Sequence, residues 1–199
     1  MKTKRRRRSH PKQFDGFVVG LVLLNLMISV WTLISTKKRL EPYAGDQTMV
    51  FVRQISHSAR AVAQKKKLYS SVMMAQAILE SNNGKSQLSQ KPYYNFFGIK
   101  GSYKGRSAIF PTLEDDGQGN LYQIDAAFRS YGSLTASFED YARVLSDPLY
   151  QNTKKSFRSH YQKATATLTG TYATDTAYNI KLNDIIERYQ LTNFDSPMK

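Results

Sequence analysis

The 199 residues contain no cysteine. That excludes disulfides, thiolate metal sites and a cysteine nucleophile, and leaves the redox compartment open. Histidine is nearly absent as well. His10, His57 and His160 stand far apart, with no pair at metal-ligand spacing, so no metal or cofactor is expected. No G-x-S-x-G turn is present to carry a serine nucleophile. Asn83-Gly84-Lys85-Ser86 resembles the end of a phosphate-binding loop. That loop needs a glycine where Leu79 stands and a strand before it, and the pattern here is helical. There is no internal repeat.

Acidic residues are few, 15 against 29 basic ones, for a net charge of +14. Such an excess suggests a nucleic-acid partner, but its distribution speaks against one. Residues 1–16 hold seven basic side chains and one acid, whereas Leu68 to Lys199 holds 14 basic and 12 acidic. A phosphate-tracking protein carries its basic patch on the folded domain, so no nucleic-acid partner is expected.

Long apolar runs are missing with one exception. Phe17 to Ile34 is an 18-residue stretch without a charge. At ~1.5 Å per residue it nearly spans a hydrocarbon core of roughly 30 Å. Trp31 stands where an interfacial aromatic would, and no A-x-A-like cleavage site follows. Seven positive charges precede the run, and Lys37, Lys38 and Arg39 follow it, which orients the N-terminus toward the cytoplasm. The expected layout is a basic cytoplasmic tail at 1–16, a transmembrane signal-anchor at 17–34 and a linker at 35–47. A folded domain at 48–195 follows on the extracellular side, and a frayed tail at 196–199 ends the chain.

Within 48–195 the periodicity is mainly helical. Thr48 to Gln64 places Val52, Ile55, Ala59 and Val62 on one face, closed by Lys65, Lys66 and Lys67. Ser70 or Ser71 is placed to cap a helix that ends on Glu80. Val72, Ala75 and Leu79 form one stripe of it; Met73, Ala77 and Glu80 form another. Gly84 is the expected left-handed stop. Ser86 to Gln90 reads as one further turn. Ala108 to Glu114 and Leu121 to Tyr131 flank a turn-rich Asp-Asp-Gly-Gln-Gly-Asn segment. This is the one clear β-hairpin, with Ile124, Ala126 and Phe128 alternating as in a half-buried strand. Ser133 caps a helix carrying Phe138, Tyr141 and Leu145, stopped at Asp147-Pro148. Another helix runs from His160 to Leu168. A last one, capped by Thr174 or Asp175, carries Ala177, Ile180, Ile185, Ile186 and Tyr189. The fold class is mainly α with a small β-hairpin lobe (α+β), preceded by one transmembrane helix.

Glu80 is the candidate for chemistry. Apolar neighbours and the negative end of a helix dipole both disfavour its ionised form. A carboxyl kept protonated near neutral pH can act as a general acid. Tyr93, Tyr94, Phe96 and Phe97 crowd the loop that follows, interleaved with Asn95 and Lys100. Such a cluster is more often core than ligand platform, but beside a candidate acid flat apolar faces suit pyranose rings, so Tyr94, Asn95, Phe96, Phe97 and Lys100 are the expected substrate-binding set.

The segments AQAILESNNGKSQLS (75–89) and NFFGIKGSYKG (95–105) together resemble the glucosaminidase domain of bacterial cell-wall autolysins. This is glycoside hydrolase family seventy-three, which also includes the flagellar-rod muramidase domain. Its pattern is a Glu-Ser pair ending a helix, then Gly-Lys-Ser, then an Asn-aromatic-Phe-Gly-Ile-Lys run. GTYATDTAYNIKLNDIIERY (170–189) extends the likeness, with Thr171 inserted into the usual Gly-Tyr pair and Tyr172 left as the matching tyrosine. The resemblance covers about residues 48–195. It implies a lysozyme-like fold and cleavage of the β-1,4 bond after N-acetylglucosamine in peptidoglycan. It also implies Glu80 as the acid, the hairpin residue Glu114 as the second carboxylate, and Tyr172 as a residue that positions sugar or water. Asp115 and Asp116 fit turn positions better. A carboxylate separation of roughly 6.5–9.5 Å would admit a water between Glu80 and Glu114 and invert the anomeric centre. A wider one would leave a mobile lobe, the substrate's own N-acetyl group or lytic transglycosylase chemistry. A non-catalytic wall-binding module and a membrane-tethered scaffold are the readings from other classes.

Overall fold

The computed structural model describes residues 46–115, 121–156 and 159–197, with 113–115 and 121 described by backbone alone. The tail at 1–16, the charge-free run at 17–34 and nearly all of the linker at 35–47 lie outside the described residues. Among those that are described, no helix is long and apolar enough to cross a membrane.

Helix α1 (Gln47–Lys66) begins one residue ahead of the expected domain boundary. It buries Phe51, Val52, Ile55, Ala59 and Val62, which recur every three or four residues. Helix α2 (Ser70–Glu80) departs from the two-stripe expectation, because every residue from Ser70 to Ile78 is buried. A helix covered on all sides is a core helix, and here it is the centre of the domain. Helix α1, the later helices α4 (Tyr161–Leu168) and α5 (Tyr178–Arg188), and a 3-10 turn at Leu191–Phe194 all pack against it.

The start of α2 is not capped by its own serines. Asp195, from the far end of the chain, accepts from the Ser71 backbone N–H at 2.9 Å and from Ser71 Oγ at 2.7 Å. A buried helix start has orphan donors and a partial positive charge, and a carboxylate answers both. The end of α2 follows the glycine expectation and exceeds it. Asn82, Asn83 and Gly84 all adopt positive φ, at 50°, 58° and 73°. A Cβ on Gly84 would lie 2.5 Å from Phe51 Cε2, so this position is closed to larger residues by both backbone and space. A 3-10 turn at Gln87–Ser89 follows, started by Ser86.

Strands β1 (Ser107–Asp115) and β2 (Leu121–Arg129) form an antiparallel pair, with Ser107 opposite Arg129 and Asp115 opposite Leu121. The half-buried alternation expected of β2 holds only at its base. Phe128 is buried, while Ile124 and Tyr122 are exposed. Among the described residues β1 is the element that packs against the rest of the strand. Helix α3 (Leu134–Val144) starts at Ser133, whose Oγ accepts from Ala136 N–H. Pro148–Thr153 then forms a 3-10 stretch.

Helix α5 differs from expectation at two points. Neither Thr174 nor Asp175 is its cap; Ala177 occupies that place, and Asp175 accepts from the Ala177 N–H just ahead of it. Its buried face is Tyr178, Leu182 and Ile186, while Ile180 is exposed. Ser196, expected to fray, is held instead: its carbonyl accepts from Arg60 at 3.2 Å and Gln64 at 3.0 Å. The result is a mainly helical body with one small two-stranded sheet among the described residues, the α+β class expected.

Candidate active site

Glu80 occupies the last position of α2, where the core helix reaches the surface. It is open to solvent on one side, but the protein body crowds its carboxyl on the other. That burial pushes its pKa above the ordinary glutamate value, partly offset by a hydrogen bond from Tyr178. The cause is desolvation, and the direction is the one a general acid needs.

Tyr178 Oη donates to Glu80 Oε1 at 2.5 Å. Behind it runs a buried chain of polar groups. Gln76 Nε2 donates to Tyr178 Oη at 3.0 Å, and Tyr141 Oη donates to Gln76 Oε1. Gln76 and Glu80 are four residues apart on α2 and therefore share a face. Gln76 is fully buried, so both ends of its amide need partners, and the two tyrosines supply them. Glu80 is thus oriented from behind by three side chains drawn from α2, α3 and α5. Burial and the Glu80 charge keep the Tyr141 and Tyr178 hydroxyls protonated, as donors, well above the usual tyrosine range.

The sequence-predicted residues separate into those near this carboxylate and those elsewhere. Tyr172 is near. Its ring stacks on Tyr178 at 6.4 Å between centroids and 17° between planes, and it also meets Tyr141 and Tyr150 edge-on. Its hydroxyl, however, donates to the Phe97 carbonyl at 2.8 Å rather than to Glu80. Asn95 points inward. It is buried, and its amide binds Ile99 and the Arg129 carbonyl, tying the loop to the base of the hairpin. Phe96 and Phe97 are core residues, both 2% exposed, packed on Phe138. Phe97 also stacks on Tyr141 at 4.0 Å. Burying a phenyl ring is worth about 1.5–3 kcal/mol, which is why the run folds inward instead of lining a groove.

Tyr94 lines a separate pocket of about 240 Å³ with Phe51, Gly84 and Gln90, which does not include Glu80. Lys100 is exposed, and its carbonyl accepts from Arg129 Nε. Glu114 stands near the tip of β1, opposite Tyr122 in the register, and Asp115 opposite Leu121. Asp116 lies outside the described residues. Among the described residues no group of three His, Cys, Asp or Glu side chains is placed to hold a metal ion.

Two residues that matter at this site were not singled out from the sequence. Tyr178 lies in the same segment as Tyr172, and only its position on the buried face of α5 marks it. Gln76, a polar residue in an otherwise apolar helix four positions before Glu80, was a signal available in the pattern.

Comparison with known proteins identifies relatives of this chain. Residues 56–191 match the family model Glucosaminidase, described as mannosyl-glycoprotein endo-beta-N-acetylglucosaminidase. A probable N-acetylmuramidase of Lactococcus lactis subsp. cremoris is 48% identical over 158 residues, covering 76% of this chain and 36% of that protein. The exo-glucosaminidase LytG of Bacillus subtilis is 36% identical over 155 residues, covering 75% of this chain and 54% of that protein. This chain therefore spans between about a third and a half of the length of these relatives. Among solved structures, the catalytic domain of the autolysin Auto from Listeria monocytogenes superposes with a TM-score of 0.70 at 41% identity. It covers 80% of this chain and 97% of that one. The shared architecture is consistent with a lysozyme-like α+β fold.

Proposed function

This chain belongs to the glucosaminidase family, and from that premise we propose that it is a glycoside hydrolase of peptidoglycan in which Glu80 is the general acid. The observation that carries the proposal is the Glu80 carboxyl itself: desolvated, raised in pKa, open on one side and held by Tyr178 on the other. Glu80 gives its proton to the bridging glycosidic oxygen. The bond from the anomeric carbon to that oxygen breaks, and its electron pair leaves with the departing sugar. Water adds to the anomeric carbon and loses its proton to a second carboxylate, for which Glu114 on the hairpin is the candidate. Tyr172 buttresses Tyr178 by stacking and holds the 94–100 loop through Phe97.

The bond proposed is the β-1,4 link after N-acetylglucosamine. The name of the Lactococcus relative favours a second reading, cleavage after N-acetylmuramic acid. Mass spectrometry of digested muropeptides separates the two, because the new reducing sugar identifies the cut bond. We further propose that the chain acts from the cell membrane in wall remodelling, cell separation or autolysis. The 17–34 run is its single span, and the catalytic domain faces the wall. The charge-free run and its flanking positive charges support this.

The decisive variant is Glu80→Gln, which keeps the size and the hydrogen-bond acceptor while removing the proton. On a zymogram of purified cell walls it is expected to give no clearing, against a clear band for the wild type. A clearing band from a folded Glu80→Gln protein refutes the assignment.

A further inference from the structure

The hydrogen bonds behind Glu80 have a direction, and one amide sets it. The side-chain nitrogen of Gln76 can only donate, and its oxygen can only accept. Gln76 Nε2 lies 3.0 Å from Tyr178 Oη, so the Tyr178 hydroxyl accepts there. Its single proton is left for Glu80 Oε1, at 2.5 Å. At the other end of the amide, Gln76 Oε1 accepts from the Tyr141 hydroxyl. Every donor in the chain therefore points toward the carboxyl: Tyr141 to Gln76, Gln76 to Tyr178, Tyr178 to Glu80.

Turning the amide over would reverse that order. Gln76 Oε1 would take the Tyr178 proton, and Tyr178 could then only accept from Glu80. An ionised Glu80 has no proton to give, so two acceptors would face each other without a hydrogen between them. Tyr141 blocks the reversal. In the turned amide Nε2 would donate to Tyr141 Oη, and the Tyr141 proton would need a new acceptor. Among the described residues Gln76 is the one hydrogen-bond partner of the Tyr141 hydroxyl, and Tyr141 is 1% exposed. A buried hydroxyl left without an acceptor carries its full desolvation penalty. Ring stacking holds both hydroxyls in place, Phe97 on Tyr141 and Tyr172 on Tyr178. Tyr172 does not compete for the carboxyl, because its own hydroxyl donates to the Phe97 carbonyl.

The consequence falls on the two oxygens of Glu80. Oε1 accepts from Tyr178 in either charge state of the carboxyl. Among the described residues Oε2 has no hydrogen-bond partner, and Glu80 is open to solvent. The titratable groups that face Glu80 are Tyr141 on α3, Tyr178 on α5 and Tyr172 ahead of it, all held protonated well above the usual tyrosine range. A proton on the carboxyl therefore sits on Oε2. When it leaves, the Tyr178 donor already faces the new charge, and no group has to rotate.

We propose that Tyr141 and Gln76 are positioning residues for the acid. Neither side chain hydrogen-bonds Glu80 itself; together they fix the direction of the chain, so that the proton to be transferred is on Oε2. The inference rests on Glu80 as the general acid.

The test follows the side-chain carboxyl ¹³C resonance of Glu80 through a pH titration of the full chain in neutral detergent. The resonance is the one missing from Glu80→Gln. Tyr141→Phe frees the amide to turn and to take the Tyr178 proton, so the Glu80 midpoint is expected to move to higher pH. On peptidoglycan its kcat is expected to fall by roughly 3–10-fold with KM little changed. Gln76→Met removes the amide and leaves Tyr178 only Glu80 to donate to, so the midpoint should rise by less. Simple damage to packing would order these two variants the other way. In Tyr141→Phe/Tyr178→Phe the midpoint should equal that of Tyr178→Phe alone, because Tyr141 acts through Tyr178. If Tyr141→Phe does not fold, Gln76→Met and Gln76→Met/Tyr178→Phe make the same comparison. The proposal is overturned if Tyr141→Phe titrates as wild type does, if its shift persists in full on the Tyr178→Phe background, or if Gln76→Met shifts the midpoint more. The titration is read without substrate, so the zymogram of Glu80→Gln decides the acid separately.

Discussion

Glu80, the proposed acid, accepts a hydrogen bond from Tyr178, and the sign of each effect on Glu80 is separable. Burial raises its pKa, and the Tyr178 hydroxyl lowers it by stabilising the carboxylate. Tyr178→Phe removes the lowering contribution alone. The alkaline limb of kcat/KM, which reports loss of the acid's proton, is expected to move to higher pH while the stacking on Tyr172 is kept. A pH–rate profile that superposes on wild type would show that the hydroxyl does not tune the acid. A stability consequence follows from the same carboxyl. A group whose pKa is raised by folding favours the folded state while protonated, below its unfolded pKa, and that contribution is lost as pH rises through the folded value. Glu80→Gln is therefore expected to melt higher than wild type at about pH 8, with the gain shrinking at about pH 4. Calorimetry at the two values reads it directly.

Helix α2 is the element around which the others are arranged, and its ends are more constrained than its middle. Its start is closed by Asp195 and its stop by three left-handed residues against Phe51 of α1. Gly84→Ala puts a methyl group 2.5 Å from the Phe51 ring at a φ of +73°. The left-handed penalty and the overlap together predict a loss of about 2–4 kcal/mol, seen as a lower urea midpoint. Because Gly84 follows Glu80 by one turn, the same variant should also lower activity at temperatures where it remains folded. The helix pattern, the glycine stop and the hairpin were legible in the sequence because each rests on local periodicity or turn chemistry. The capping of α2 was not, since its partner lies 124 residues away. The inward placement of Phe96 and Phe97 was not legible for a related reason: a Phe is the same residue whether it meets sugar or core, and only packing distinguishes them.

At the scale of the whole molecule, one buried carboxylate joins the hairpin to the helical body. Asp140 on α3 receives Arg129 from the end of β2 at 2.6 Å, the Tyr131 hydroxyl at 2.8 Å and Arg143 at 2.6 Å. Its side chain is wholly inaccessible, and Arg129 retains 20% exposure. Burial opposes the charge, yet these three donors outweigh it and hold the carboxyl below the usual range. Its contribution to stability is present above the unfolded aspartate pKa and is lost as pH falls through the lowered value. Asp140→Ala leaves Arg129, Arg143 and the Tyr131 hydroxyl without this acceptor. It is expected to cost about 3–5 kcal/mol near neutral pH, with the difference from wild type narrowing on acidification. Urea titrations at two pH values measure both.

Sequence alone determined the helical periodicity, the hairpin and the family resemblance, and made Glu80 the candidate acid, because these depend on residues close together along the chain. Tertiary structure alone decided which tyrosine holds that carboxyl, that Asn95, Phe96 and Phe97 are interior, and what caps α2. Hydrogen bonds, desolvation and charge repulsion act through distances of a few ångströms in space, and separation along the chain does not reveal which groups those distances will join.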